Sequence, residues 1–381
     1  MAERVQGNDG RMDLPTLTIS AANGWLDQRD RFSSNIAGSE QKNYTLLHKG
    51  ELSYNHGNSK LAKYGTVFAL RTYEEALVPR VYHSFKVTEE ADANFIEYVF
   101  ATKLPDRELG KLISSGARMD GLLNINYDEF MSINIMLPPV AEQIRISDYL
   151  RKVDRLITLH QRKCEETKKL KKYMLQKMFP KDGTTVPEIR FAGFTDDWEQ
   201  RKFGELVKKY EDPVETPTDG YMRLGIRSHA KGTFHSYVEK GRELETAKMF
   251  RVAANNFIVN ITFGWEHAVA ITDENDAGKL VSHRFPQYQF RNGMVPKFFR
   301  YLILDECFKH HLELSSPGGA GRNRVLKLDS MLDYKMHFPS EQEQKKIAAY
   351  FDDLDTLITL HQRKCDELRN IKRFMLQNMF V

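Results

Sequence analysis

A stretch of nine residues occurs twice in this chain, and this repeat constrains the fold more than any other feature. The sequence LITLHQRKC stands at Leu156–Cys164 and returns unchanged at Leu357–Cys365, 201 positions later. Composition bias does not produce nine consecutive identities, so the chain contains an internal duplication. We therefore expect the fold to contain two copies of one structural unit.

The repeat extends beyond its identical core at the same offset. Upstream, Pro138 aligns with Pro339, and the pair Glu142–Gln143 aligns with Glu343–Gln344. The regions before these tails diverge, and LTISAANG in the first copy resembles LGIRSHAKG in the second only with a gap. Each copy therefore consists of a variable region followed by a strongly repeated tail.

Both tails are predicted to be long amphipathic helices, because residues 141–178 and 342–379 contain no proline and no glycine. Their apolar and compact residues recur at alternating steps of three and four, which places them on one narrow stripe. Such a helix needs a partner, so we expect the tails, each about 57 Å long, to pair antiparallel as a coiled coil. The seam residues are Val153, Ile157, His160, Cys164, Leu354, Ile358, His361 and Cys365, and the stripe continues through Leu170 and Ile371.

The variable regions combine short β-rich runs with helical stretches. GTVFAL, FIVNITF and HAVAIT alternate with turn residues, whereas 93–104 and 297–314 have helical patterns. The predicted fold class is α+β, with two globular domains of mixed helix and strand joined by the two antiparallel helices in a pseudo-twofold repeat. The predicted segments are a first domain at 1–140, a central helix at 141–180, a second domain at 181–340 and a C-terminal helix at 341–381.

Composition predicts a cytoplasmic globular protein. Of 381 residues, 41% are hydrophobic and 28% are charged, and no apolar run approaches the ~20 residues that span a membrane. The first residues carry no apolar signal sequence, and three scattered cysteines do not suggest a disulfide framework. A net charge of +4 permits local nucleic-acid-binding faces without arguing for them.

The motifs of common enzyme classes are missing from the sequence. We find no GxxxxGK[ST] phosphate loop, no GxGxxG dinucleotide fingerprint, no [DN]PP[YF] methyltransferase tetrad, no GxSxG elbow and no HExxH zinc motif. We therefore expect no catalysis by this chain. A nuclease or methyltransferase with a divergent site is a third hypothesis, which activity of the chain alone would support.

One His/Cys constellation has the composition of a zinc site. His160 with Cys164, and His361 with Cys365, each share a helix face, and antiparallel pairing would bring them near the middle of the seam. The alternative is that a duplicated seam simply repeats its compact residues, since buried cysteine usually acts as a small apolar group. We favour the alternative and predict no metal.

The repeated tail and the linker after it resemble those of a known family. LPPVAEQIRISDYLRKVDRLITLHQRK, then VPEIRFAGFTDDWEQRKFGEL, and later FPSEQEQKKIAAYFDDLDTLITLHQRK resemble the DNA-specificity subunit of type I restriction–modification systems. The resemblance covers nearly the whole chain. It implies two target-recognition domains, each reading one half of a bipartite double-stranded DNA target, and a helix pair that fixes the gap between the halves.

The resemblance also implies partner subunits. Two methyltransferase subunits are expected to dock on the pseudo-symmetric body, with two restriction–translocase subunits outside them. S-adenosylmethionine, ATP and Mg are expected on those partners, and no cofactor is expected on this chain. The basic stretch Arg162–Lys172 is either a solvated face or a methyltransferase contact.

The first copy departs from the family pattern at its start. The second copy opens with PEIRFAGFTDDWEQRKFGELVKKY, whereas the first begins with MAERVQGNDG. About twenty residues that would match Pro187–Leu206 are missing from the first copy. We therefore expect the first recognition domain to be shortened, as in a truncated or rearranged chain.

Candidate DNA-contacting residues lie in polar loops, because Arg, Lys, Asn and Gln read base edges while Ser, Thr and Tyr contact phosphates. The candidates are Tyr54, Asn55, Asn58, Lys60, Lys63, Tyr64, Arg118, Arg227, His229, Lys231, Thr262, Arg322 and Arg324. About a third are expected to touch DNA. Trp265 belongs either to this group or to the core.

Two hypotheses of different classes compete. The first is a non-catalytic DNA-specificity subunit, and the alternative is a coiled-coil scaffold or adaptor protein without DNA specificity. DNA affinity that falls steeply with salt would distinguish the first, because binding to phosphates releases counterions.

Overall fold

The chain divides into two units, and each unit contains parts of both repeated tails. In this computed structural model, residues 1–32, 38–113, 122–181, 183–243, 248–318 and 324–380 are described. Unit 1 comprises Met1–Arg162 with His361–Val381, and unit 2 comprises Lys163–Leu360. The division into four consecutive segments made from the sequence stays a prediction.

Unit 1 is an α+β domain. Its strands are β1 (Ala2–Val5), β2 (Leu17–Ser20), β3 (Gly24–Asp27), β4 (Thr45–His48), β5 (Leu52–Asn55), β6 (Thr66–Ala69), β7 (Glu75–Val78) and β8 (His83–Val87). Its helices are α1 (Gln28–Phe32), α2 (Ala93–Ala101), α3 (Asp106–Lys111), α4 (Tyr127–Met131) and the start of α5 (Val140–Lys177), with a 3-10 turn at Gly38–Asn43.

Unit 2 is also an α+β domain, and it has additional elements. Its strands are β9 (Glu199–Lys202), β10 (Val207–Tyr210), β11 (Pro213–Glu215), β12 (Tyr221–Ile226), β13 (Thr233–Val238), β14 (Lys248–Arg251), β15 (Asn256–Val259), β16 (Val269–Ile271), β17 (Leu280–Val281), β18 (Gln287–Phe290) and β19 (Lys335–Phe338). Its helices are α6 (Phe203–Leu206), α7 (Pro296–Leu302), α8 (Glu306–Leu314), α9 (Leu328–Leu332) and the start of α10 (Glu341–Asn378), with a 3-10 turn at Gly264–Glu266.

One sheet has the same topology in both units, which confirms the internal repeat. A four-stranded antiparallel sheet has the order β1-β8-β5-β6 in unit 1 and β10-β18-β15-β16 in unit 2. The hairpin β2–β3 corresponds to β12–β13, and the antiparallel pair β4–β7 corresponds to β14–β17. The connections between corresponding strands therefore lie at equivalent places in the two units.

One predicted helix is two helices in the structure. The pattern over 297–314 is interrupted between α7 and α8, where the chain turns through Ile303 and Asp305. The Asp305 carboxylate accepts a hydrogen bond from the Phe308 N–H at 3.3 Å and so caps α8. The apolar periodicity predicts a single helix here, but capping by Asp305 starts a second one.

Within each unit the tails pair antiparallel, as predicted. In unit 1, the Asp154 carboxylate meets Lys372 Nζ at 2.6 Å, and the Cys365 thiol donates to the Ile157 carbonyl at 3.7 Å. Residues later in α5 thus lie opposite residues earlier in α10, so the two helices run antiparallel. In unit 2, the Asp355 carboxylate meets Lys171 Nζ at 2.5 Å in the symmetry-related contact.

Each helix start is anchored to its own domain by the same three hydrogen bonds. The Gln143 side-chain amide donates to the carbonyls of Pro138 and Glu90, and its oxygen accepts from the Asp92 N–H at 2.9 Å. Gln344 makes the corresponding bonds in unit 2, to Pro339, Gly293 and Val295. Both glutamines are fully buried, so these bonds fix how each tail leaves its domain.

Candidate nucleic-acid interface

Three loops of unit 2 are joined by backbone hydrogen bonds. The β12–β13 connection binds the β15–β16 connection, because the His229 and Ala230 N–H groups donate to the carbonyls of Glu266 and His267 at 2.9 and 2.8 Å. The segment before α9 joins them through the Leu326 N–H, which donates to the Ile261 carbonyl at 2.9 Å. Tertiary structure thus assembles polar loops that are far apart in sequence.

Unusual backbone conformations occur where these loops meet. His229, Ala230 and His267 have φ values of 61°, 48° and 60°, in the left-handed region that residues with a Cβ seldom adopt. Such conformations persist only where surrounding contacts hold them, and they concentrate at functional sites. Here the two backbone bonds at His229 and Ala230 provide that hold. These hydrogen bonds therefore hold the loops in a defined conformation.

Exposed basic side chains surround this loop junction. Arg227, His229 and Lys231 are exposed on the β12–β13 connection. The Arg227 guanidinium lies 5.4 Å from the Phe234 ring centroid and donates to the Thr233 carbonyl, so its direction is set. A held guanidinium presents donors in a fixed geometry, as base-edge or phosphate recognition requires.

The remaining unit 2 candidates lie on the neighbouring loops. The Arg324 guanidinium stacks over the Trp265 ring at 5.5 Å, and both side chains are partly buried. Thr262 accepts a 3.5 Å contact at Oγ1 from Arg284 Nη1. Arg322 lies outside the described residues.

Sequence reasoning missed part of this surface. Arg223, His283 and Arg284 line the same concave surface as Ser228 and Glu266, beside the junction of the three loops. His283 and Arg284 are exposed on the turn after β17, which no motif distinguishes from other surface turns. Only the sheet topology brings that turn beside Thr262.

Unit 1 repeats part of this arrangement with different residues. Its β5–β6 connection, 56–65, corresponds to the β15–β16 connection of unit 2, and the Leu123 N–H donates to the His56 carbonyl at 2.9 Å as Leu326 does to Ile261. Asn58, Lys60 and Lys63 are exposed there. Arg118 lies outside the described residues.

Tyr54 was wrongly predicted to contact DNA. Its side chain is 0% exposed, its ring stacks on Phe130 with centroids 4.3 Å apart, and its hydroxyl donates to the Tyr64 carbonyl at 2.7 Å. Burial raises its pKa well above the ordinary value. The position lies in β5 and points inward, so Tyr54 is a core residue.

Two other candidates of this loop hold its shape. The Asn55 side-chain oxygen accepts from the Gly57 N–H at 3.0 Å, which closes a turn. Tyr64 is partly buried against the same core, with Lys63 Nζ 5.1 Å from its ring. Gly65 has φ 82°, and a Cβ there would lie 2.6 Å from the Asn55 carbonyl oxygen, so the loop requires glycine.

A second basic surface of unit 1 adjoins His56 through His83, whose rings are 4.8 Å apart. Arg4, Lys42 and Arg80 are exposed around a polar pocket that His83 and Tyr127 also line. The Arg4 guanidinium lies 4.3 Å from the Tyr127 ring centroid. These cations were not identified from the sequence, because they come from three separate segments: strand β1, the 3-10 turn and the β7–β8 connection.

The seam candidates lie at the facing sides of the helices within each unit. Val153, Ile157, Cys164, Leu354 and Cys365 are buried, whereas Ile358, His160 and His361 are partly buried. The Nδ1 atoms of the two histidines are 3.0 Å apart, and the Cys164 thiol lies 3.9 Å from the Ile358 carbonyl oxygen.

Among the described residues, no three His, Cys, Asp or Glu side chains are placed to hold a metal ion together. The absence of metal stays a prediction, which metal analysis of the purified chain tests. A search of the same residues finds no helix that is both long and apolar enough to cross a membrane.

Comparison with known proteins identifies the family. Residues 8–169 and 195–370 each match the type I restriction modification DNA specificity domain. The chain belongs to this family. The two matches include the loop regions of both units, so the family assignment applies to each half of the duplication.

Curated relatives of the family are similar at a distance. The type I restriction enzyme MjaVIII specificity subunit of Methanocaldococcus jannaschii is 24% identical over 278 residues, which cover 68% of this chain and 64% of that protein. The putative MjaX specificity subunit of the same organism is 24% identical over 260 residues, covering 66% and 59%. The chain thus spans less than two thirds of the length of these relatives.

A solved family structure has the same fold. The type I restriction–modification S subunit from M. genitalium matches with a TM-score of 0.57 and 13% identity, covering 100% of this chain and 93% of that one. The fold of two mixed domains with two long helices is therefore that of the family.

Proposed function

We propose that this chain is the sequence-specific DNA-recognition subunit of a type I restriction–modification complex. The observation that carries the proposal is that both halves of the duplication match the DNA specificity domain of this family. Each unit would read one half of a bipartite double-stranded DNA target. The paired helices would set the unread gap between the two halves.

The equivalent loops of the two units support the assignment of one half-site to each unit. Two of the three connections also meet in unit 1, where the Leu123 N–H donates to the His56 carbonyl, but their side chains differ. Unit 2 presents Arg227, Lys231 and Arg284, whereas unit 1 presents Asn58, Lys60 and Lys63. Dissimilar readers on a repeated frame would recognise two unrelated half-sites, which gives an asymmetric target.

Repeated exposed leucines support two equivalent docking sites for partners. Leu156 and Leu159 on α5 are exposed, and so are their counterparts Leu357 and Leu360 on α10. Residues three apart lie side by side on a helix, and an apolar patch left exposed there is a candidate protein-binding face. Each pair would bind one methyltransferase subunit, and two restriction–translocase subunits would assemble outside them.

Catalysis would belong to those partners. S-adenosylmethionine, ATP and Mg would bind to the methyltransferase and restriction subunits, and this chain would supply only recognition. The family relatives are named specificity subunits, which supports this assignment. A scaffold or adaptor protein without DNA specificity finds no support in the comparisons.

Methylation mapping by single-molecule sequencing tests the proposal. Cells would express this chain with its candidate methyltransferase partner, and control cells would express the partner alone. We expect one methylated motif made of two short, different halves around a fixed unread gap. The motif must disappear in the control.

Two results would contradict the proposal. A palindromic motif, or a single half-site, would show that unit 1 does not read DNA and would overturn the assignment of one half-site to each unit. No motif at all, with both proteins expressed, would overturn the assignment as a specificity subunit.

A further inference from the structure

A carboxylate lies among the cations on the concave surface of unit 2. Glu266 ends the 3-10 turn Gly264–Glu266, and it lines this surface together with Arg223, His283 and Arg284. No other Asp or Glu is among the described residues that line the surface. The Glu266 side chain is partly exposed and forms no ion pair within the described part of the chain. Its negative charge is therefore not used to neutralise a neighbouring cation by direct contact.

The position of this carboxylate is fixed by the loop junction. The Ser228 hydroxyl donates to Glu266 Oε2 at 2.5 Å. The Glu266 carbonyl accepts from the His229 N–H at 2.9 Å, and the Glu266 N–H donates to the Phe263 carbonyl at 3.0 Å. Oε1 has no hydrogen-bond partner among the described residues. The surface thus presents a held acceptor atom that is ready for a donor from outside the protein.

Few groups of double-stranded DNA can donate to such an acceptor. Phosphate oxygens are negatively charged acceptors, so they repel a carboxylate. Guanine O6 and N7 and thymine O4 are acceptors as well, which leaves the exocyclic amino groups of the bases as the donors in the grooves. A carboxylate that loses water in a DNA interface is costly unless it gains a hydrogen bond. Glu266 is therefore suited to a base amino group rather than to the DNA backbone.

The arrangement of donors on the bases narrows the choice to one base pair. In the major groove, adenine N6 lies beside the acceptor N7, and an amide side chain matches this pair of groups better than a carboxylate does. Cytosine N4 has no acceptor beside it on the same base. In the minor groove the amino donor is guanine N2. A carboxylate thus favours a C·G pair in either groove.

We propose that Glu266 selects a C·G pair at one position of the half-site read by unit 2, by accepting a hydrogen bond from an exocyclic amino group of that pair. The inference rests on the proposed function and adds a specificity-determining residue to it. Arg223 and Arg284 on the same surface supply donors for the acceptors of the paired guanine or for the adjoining phosphates.

Methylation mapping of the Glu266→Gln variant is the first test. Glutamine keeps the size of the side chain, and its amide oxygen can still accept the Ser228 hydroxyl bond. We expect the preference for C·G to fall about tenfold at one position of one half-site, with every other position retained. Glu239→Gln is the matched control, because it makes the same charge change at an exposed residue of unit 2 that does not line the concave surface. The control should keep the parent motif.

Base analogues identify the contacted amino group. The complex of the chain with its methyltransferase partner is titrated with duplexes of the motif. One duplex carries 2-pyrimidinone, which lacks the N4 amino group, in place of that cytosine, and another carries inosine, which lacks the N2 amino group, in place of the guanine. The parent should bind one of them about tenfold more weakly than the natural duplex, and the Glu266→Gln complex should lose less. Loss with 2-pyrimidinone would place Glu266 in the major groove, and loss with inosine would place it in the minor groove.

The analogue titrations also separate base recognition from a purely structural role. Weakened base pairing in an analogue duplex affects both complexes alike, so the difference between their losses isolates the contact with Glu266. If Glu266 only holds the loop, its variant should bind all duplexes uniformly more weakly, with equal losses for the analogues. That result, or a parent motif in which no position responds to Glu266→Gln, would overturn this inference and leave the proposed function standing. A parent chain that gives no motif would overturn both.

Discussion

Residues at equivalent positions of the two units have different environments, and this makes each unit a control for the other. The repeat places Glu142 and Glu343 on the same turn of two helices that are identical at about half of their positions. One is exposed, and the other is a buried partner of Arg190. Differences between substitutions at the two sites therefore report the environment rather than the residue.

Glu343→Gln should destabilise unit 2 strongly. Loss of the carboxylate leaves the Arg190 guanidinium mostly buried without its counter-charge, which costs about 3 kcal/mol in free energy of unfolding. Glu142→Gln should change that free energy by less than about 0.5 kcal/mol, because the side chain is exposed. Denaturant unfolding of the two variants checks the difference, and equal effects would contradict the buried ion pair.

Acidification should weaken unit 2 through His267. The side chain is buried, its Nε2 lies 2.8 Å from the Ile303 carbonyl oxygen, and burial lowers its pKa from 6.5. The unfolded chain therefore takes up this proton at a higher pH than the folded one. The free energy of unfolding should fall as pH drops through 6.5 and level off below the folded-state pKa.

The variant His267→Asn tests this contribution, since Asn tolerates the φ of 60° at this position. Urea unfolding between about pH 7 and pH 5 should show a shallower slope than the parent chain. If the free energy of unfolding has the same slope with pH in the variant, groups other than His267 cause the pH dependence. His83 of unit 1, whose pKa is also lowered by burial, will still contribute to the pH dependence of the free energy of unfolding.

Arg284 should contribute to recognition by unit 2 alone. If it contacts a phosphate, Arg284→Ala should weaken DNA binding uniformly and reduce the salt slope by about one ion. If it contacts a base, the variant should relax one position of one half-site. Lys208→Ala, on the strand β10 at the edge of the other sheet, is the control with the same charge change. Equal effects of both variants would show that Arg284 contributes only through the net charge of the unit.

At the scale of elements, the helix seam has the His160–His361 contact near its centre, an apolar cluster beside it and charged pairs further out. Val153, Ile157 and Leu368 form a buried cluster in unit 1. Beyond it the predicted stripe fails, because Leu170 and Ile371 are exposed while Lys171 and Lys372 turn inward. Each lysine binds an aspartate on the other helix, and that aspartate also accepts a hydrogen bond from a tyrosine of its own domain.

The exposed leucine pairs give a prediction at this scale, which rests on the proposed function. Glu in place of both Leu156 and Leu159, or of both Leu357 and Leu360, should leave stability nearly unchanged because these side chains are exposed. Each double variant should lose one of two methyltransferase subunits, and all four changes should lose both. Sedimentation of the mixed subunits counts them. Full binding by the fourfold variant would place docking elsewhere.

At the scale of the whole molecule, both long helices belong to both units. α5 begins in unit 1 and ends in unit 2, and α10 begins in unit 2 and ends in unit 1. A change of helix length therefore acts on both domains through continuous backbone.

Lengthening both helices should change the gap of the DNA target and leave its halves alone. Seven residues inserted in each helix, next to His160 and His361, keep the seam in phase and add about 10 Å. At about 3.4 Å per base pair, the unread gap should grow by about three base pairs. Methylation mapping reads the new motif. An unchanged gap, or changed half-sites, would show that the helices do not set the length of the unread gap.

Local pattern was enough to predict the duplication, the two long helices and the α+β class. These features depend on identity at a fixed offset and on periodicity, and both are visible in consecutive residues. The antiparallel pairing followed because each helix exposes a stripe that needs burial. The family resemblance rested on the same repeated tails.

Tertiary structure alone decided which candidate side chains reach a surface. Tyr54 is in the core because its strand turns it toward Phe130, whereas Arg284 joins the loop junction through contacts with residues far away in sequence. The inward lysines of the seam depend likewise on aspartates 184 and 218 positions distant. Sequence patterns record what a residue's neighbours along the chain require, but exposure and partners are set by long-range packing, which no local pattern contains.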